Sequence, residues 1–225
     1  MRSCFAVLIT IVLSGSPGHA QDQGALSQQV EKLINALVSE NAAPDPGAWR
    51  KPPRGYDRKK QQPVLRAVGK LKALGPSGFK FLIENWGDKR YCLTYSVGIN
   101  GYMGNATVGE MCRRIMFDQI QPYGYWTLGE AEAFDDPRNR RLRPDYPKEF
   151  LADQESAAEW LEEHKNKSLV EIQLMVINWI IEQESASPND FTDREREYMQ
   201  EIRDELVKSQ KPRTRGNYHS DDYHW

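Results

Sequence analysis

This sequence predicts an all-α fold of packed helix pairs, interrupted by a long loop or short β-hairpin at residues 91–105. Three observations carry the expectation. Apolar residues recur at intervals of three and four in successive segments. Thr107 and Glu110, Ser168 and Glu171, and Thr192 and Glu195 each have the spacing of a capping box, in which a hydroxyl and a carboxylate satisfy each other's backbone N–H. The stretch YCLTYSVGINGYMGN, Tyr91 to Asn105, breaks the helical period with glycines and with aromatics that alternate with small residues, as in a half-buried β-ribbon.

Residues 1–20 are read as a secretory signal peptide. Arg2 supplies a positive start, Phe5 to Leu13 an apolar run, and Gly18-His-Ala20 a cleavage-like end. The apolar run is shorter than the roughly 20 residues a membrane-crossing helix needs. The expected product is exported, periplasmic or extracellular, after cleavage near Ala20.

The first amphipathic helix is Ser27 to Val38, with Val30, Leu33, Ile34, Leu37 and Val38 in period. Prolines 44, 46, 52 and 53 make Asn41 to Tyr56 a linker or extended arm, so residues 21–62 are read as a helix plus Pro-rich linker. A helical domain over 63–209 follows. Pro63 to Leu74 places Val64, Leu65, Val68, Leu71 and Leu74 on one side, and Gly75-Pro76 ends it. Ser77 to Trp86 is the next helix. Thr107 caps one that carries Met111, Ile115, Met116 and Ile120 and stops at Pro122. Tyr123 to Pro147 is irregular. Asp153 caps Ser156 to Lys165, and Ser168 opens the most apolar segment of the chain, whose broad face marks it as a central helix. The last helix bears Tyr198, Met199, Ile202 and Leu206 on one stripe, and residues 210–225 form a disordered tail.

Leu74 to Lys89, LGPSGFKFLIENWGDK, resembles the first helix and turn of a HEAT-like repeat. Ala106 to Ile115 is similar to the second helix of such a unit, so the likeness covers about residues 71–121, with Tyr91 to Asn105 as an insertion. The chain also resembles uncharacterised secreted bacterial proteins. HEAT-like relatives imply stacked helix pairs and a protein- or ligand-binding surface, without chemistry.

The formal charge of −2 excludes a globally basic, nucleic-acid-type surface. No complete catalytic, cofactor or metal signature is present. Gly98, Gly101 and Gly104 lack the lysine of a phosphate loop, and the His219, Asp221, Asp222 and His224 cluster lacks a helical framework. Beyond the leader the cysteines are Cys92 and Cys112, which an oxidising compartment allows to pair; geometry decides whether they do. The loop closed would be worth roughly 3 kcal/mol.

The expected activity is binding of an unidentified protein or envelope polymer through residues 91–105 and 123–143. Tyr91, Tyr95, Tyr102, Tyr123, Tyr125 and Trp126 are the contact candidates. The alternative is an envelope glycan or peptidoglycan hydrolase. Aromatic rings would stack on sugar faces while acids among Glu130, Glu132, Asp135 and Asp136 act across the glycosidic bond.

Overall fold

The computed structural model describes residues 18–44, 55–97, 102–122, 145–186 and 190–213. Its helices are α1 (Gly18–Asn35), α2 (Gln62–Ala73), α3 (Phe79–Glu84), α4 (Val108–Ile120), α5 (Tyr146–Phe150), α6 (Gln154–His164), α7 (Leu169–Ser185) and α8 (Asp190–Ser209). Strands β1 (Tyr91–Val97) and β2 (Tyr102–Thr107) pair antiparallel between α3 and α4. The protein is therefore mostly helical with one small ribbon. Among the described residues no helix is long and apolar enough to cross a membrane.

Local chemistry accounts for four of the helix starts, those of α4, α5, α6 and α7. Thr107 Oγ1 accepts from Glu110 N at 3.2 Å, and Glu110 Oε2 accepts from Thr107 N at 2.7 Å. Ser168 and Glu171 repeat this reciprocal pair at the start of α7, and Asp153 with Ser156 does the same for α6. The pairing expected of Thr192 and Glu195 is not a start: α8 is already helical from Asp190. The end of the segment read as irregular, Tyr146 and Pro147, is the start of α5. Asp145 accepts from Lys148 N there, and Pro147 lies in the first turn, where a missing N–H removes no helical bond. The helix expected over Ser77 to Trp86 is shorter than its pattern. Gly75, at φ 60°, turns the chain out of α2 into a 3-10 turn, and α3 proper begins at Phe79. At the N-terminus α1 begins at Gly18, before the expected cleavage point, and ends at Asn35 rather than Val38.

One apolar core joins these elements. Val30, Ile34 and Leu37 of the N-terminal segment share it with Leu71, Phe79, Leu82, Met111, Ile115, Met116, Ile172 and Ile177. Helix α4 is the hub, touching α2, α3, α7 and both strands. The sequence marks α7 as the central helix, yet Leu174, Met175, Trp179 and Ile181 are half-buried. That helix spends its apolar face chiefly on α8, through Met199, Ile202 and Leu206. Aromatic contacts tie α5 to this pair: Tyr146 and Phe150 meet Trp179 edge-on, with centroids 5.4 and 5.5 Å away, while Trp160 Nε1 donates to Tyr146 Oη at 2.9 Å.

Two buried polar contacts fix the helices relative to one another. Lys72 of α2 pairs with Asp118 of α4 at 3.1 Å. Gln173 of α7, fully buried, donates to the carbonyls of Gln119 and Arg213 at 2.6 and 2.9 Å and accepts from Arg213 N at 2.8 Å. The chain leaving α8 is thus held against the core as far as Arg213.

Candidate binding site

Helix α4 positions both candidate surfaces. Its first amides are satisfied by the turn ahead of β1: Val108 N donates to Arg90 O at 2.8 Å and Gly109 N to Asp88 O at 2.9 Å. Asp88 in turn holds Arg90 through a 2.6 Å ion pair, and this hydrogen bond keeps the Asp88 carboxyl below its ordinary range. The ribbon then folds back along the helix instead of projecting away. Tyr95 lies under the Arg114 guanidinium, 5.8 Å from the ring centroid, two turns along α4.

The register of the ribbon shifts at its base. Tyr91 faces Thr107 and Leu93 faces Ala106, so Cys92 is an extra residue in a β-bulge. Alternation is lost there, and Cys92, Leu93 and Thr94 are all buried. Thr94 belongs to a chain of hydrogen bonds with one direction. Its hydroxyl donates to Asn105 Oδ1 at 2.7 Å, so Tyr91, 2.6 Å away, donates to Thr94, and Tyr56, 3.1 Å from Tyr91, donates to Tyr91. Asn105 Nδ2 ends the chain on Pro44 O at 2.6 Å. Burial holds the Tyr91 phenol protonated far above its ordinary range, as a donor role requires.

Of the aromatic candidates, Tyr91 therefore spends its hydroxyl on the fold, and Tyr95 has one ring face taken by Arg114. The backbone of Tyr102 pairs with Val97. Tyr123, Tyr125 and Trp126 lie outside the described residues, as do Glu130, Glu132, Asp135, Asp136, His219, Asp221, Asp222 and His224.

On the neighbouring face of α4 the structure opens a groove of about 310 Å³. Phe117, Pro147 and Leu151 make its apolar floor, with Arg113, Gln121, Asp145 and Lys148 around them. Arg113 is fixed in place: its guanidinium lies 4.7 Å over the Trp86 ring and donates to Ala152 O at 3.2 Å. Trp86 meets Phe117 edge-on at 5.8 Å, and its buried indole N–H has no hydrogen-bond partner among the described residues. Gln121 and Asp145 bracket residues 123–144, so the groove lies at the foot of the second expected contact segment. Sequence reasoning missed it. The signal available was the stripe Arg113, Phe117 and Gln121, which sets an aromatic ring on the otherwise polar side of α4. Such a groove, with an apolar floor and charges of both signs at its rim, suits an apolar or aromatic side chain that carries a polar group.

The cysteines do not serve this surface. Both are free and fully buried, and burial pushes the Cys112 thiol up to about 12 and that of Cys92 higher still. His164 stacks on Trp160 at 4.8 Å. Among the described residues no three His, Cys, Asp or Glu side chains converge as a metal site. No protein-family model matches this chain, and no curated protein and no solved structure is detectably similar to it.

Proposed function

We propose that this is an exported binding protein that engages a protein or envelope polymer through one face of α4 and its flanking segments. The groove beside Phe117 carries this reading. It lies between α4 and α5, the elements that flank residues 123–143 in the chain, with an apolar floor and with Arg113, Asp145 and Lys148 at its edge. Arg113 is already oriented by Trp86 and Ala152, so little side-chain freedom is lost when a ligand arrives. The packing of α3 on α4 supports reading this region as one HEAT-like helix pair with the ribbon inserted between its helices.

The test is capture by the immobilised mature chain, residues 21–225, from envelope and secreted material of its own host. Identification is by mass spectrometry and glycan analysis. Near-stoichiometric retention of one component is expected. It should be lost on Phe117→Ser with Lys148→Glu, and on combined Tyr95→Ala, Tyr102→Ala and Trp126→Ala, with the helical circular dichroism spectrum unchanged. Equal retention by both folded variants refutes the assignment, and recovery of shortened glycans would favour the hydrolase.

A further inference from the structure

We propose that Cys92 and Cys112 close into a disulfide joining β1 to α4 while the chain folds, and that folding then locks whichever redox state was reached. The argument begins with the bulge. By inserting one residue opposite Ala106 and Thr107, it turns Cys92 inward beside Leu93 instead of leaving it on the outer face. Cys112 lies on the inward face of α4 between Met111 and Ile115, and these three share one core with Cys92 and Leu93. Val108 N to Arg90 O and Gly109 N to Asp88 O tie the start of α4 to the residues that lead into β1. Burial, and secondarily charge on Cys112, disfavours ionisation of Cys92. Beyond the leader these are the chain's two cysteines, and both are buried in the one apolar core.

The chemistry needs a disulfide oxidant, either a small molecule or a protein. One thiolate attacks it, forming a mixed disulfide and releasing one oxidant thiol. The second thiolate then displaces the remaining oxidant sulfur. Two electrons and two protons leave the cysteine pair, and the oxidant becomes two thiols. In the folded protein both steps are obstructed. Each side chain is 0 % exposed, and burial keeps both sulfurs protonated at neutral pH. Oxidation therefore belongs to the interval before the ribbon closes on α4.

The test uses the full chain with Cys4→Ser, prepared fully reduced. One sample is treated with glutathione disulfide while native; the other is unfolded in urea and refolded in the same reagent. Intact mass and peptide mapping follow the loss of two hydrogens and the Cys92–Cys112 link. Refolding should give the intramolecular link in nearly all molecules, and the native sample should oxidise at least about 100-fold more slowly. Added Cys112→Ser should leave a glutathione adduct on Cys92 after refolding. Free thiols or glutathione adducts on the unsubstituted pair after refolding overturn the disulfide. Native oxidation as fast as that of the unfolded chain overturns the lock.

Discussion

A Cβ atom on Gly109 would lie 2.2 Å from the carbonyl oxygen of Trp86. The turn after α3 and the first turn of α4 are in backbone contact, and hydrogen on Gly109 is what permits it. The obstructing atoms are main chain, so no side chain can move aside. Gly109→Ala is expected to destabilise the protein by about 3 kcal/mol or more, read as a lower urea midpoint. Gly69, exposed on α2 with nothing within 4 Å of its added Cβ, is the control. Gly69→Ala should raise stability by roughly 0.5–1 kcal/mol. Similar responses at the two sites would contradict the close approach.

The Gln173 side chain meets both backbone groups of Arg213. Gln173→Ala removes the acceptor for Arg213 N and one donor to Gln119 O, at about 2 kcal/mol. Hydrogen exchange supplies the specific signature: the Arg213 amide should lose protection far beyond what the global change explains. Unaltered protection would mean that the clasp does not form in solution.

Lys72 and Asp118 are paired with little water around them, their side chains 17 % and 7 % exposed. Asp118→Asn or Lys72→Met alone removes this pairing in a largely buried setting and should lower stability by about 2–3 kcal/mol. The double variant Lys72→Met with Asp118→Leu should recover much of that loss, because neither charge then has to be desolvated. A double-mutant cycle by urea unfolding measures the coupling.

Acid should weaken the fold through three carboxylates. Asp88 is held low by Arg90, Asp153 by hydrogen bonds from Ser156, and Glu171 by hydrogen bonds from Ser168. A carboxyl with a lower pKa when folded than when unfolded contributes stability above its unfolded value and loses it as pH falls through the folded one. The loss should begin near the ordinary values, 3.8 for Asp88 and Asp153 and 4.5 for Glu171, and continue below them. Combined Asp88→Asn, Asp153→Asn and Glu171→Gln should flatten the thermal-stability profile across that window. An unchanged slope would remove these groups from the account.

What was legible in the sequence follows the range of the forces involved. Thr107 with Glu110 and Ser168 with Glu171 act within one helical turn, so their spacing alone locates α4 and α7. The same rule fails at Thr192, because a matching spacing inside a helix has no open amides to cap. Helix α5 was readable from Asp145 and Pro147 but was outweighed by the proline- and arginine-rich composition around it. The bulge at Cys92, the groove beside Phe117 and the clasp of Gln173 on Arg213 join residues distant in the chain. No local period encodes such meetings; they follow from which faces of α4 are left after its apolar side is buried.

Asn41 grips the backbone of Asp57 at both ends of its amide, Nδ2 to the carbonyl at 2.9 Å and Oδ1 from the N–H at 3.0 Å. Ser39, beside it, donates its N–H to Tyr91 O and accepts from Gln61 Nε2. For protein engineering this makes a splice point. The Asn41–Asp57 junction closes the chain on both sides of the interval between Pro44 and Gly55, so a change of length within that interval leaves the junction's own hydrogen bonds in place. Each doubling there costs only about 0.6 kcal/mol of closure entropy. An epitope or reporter peptide inserted in that segment should leave α1, α2 and the ribbon in place, offering a handle on the protein that spares the face of α4.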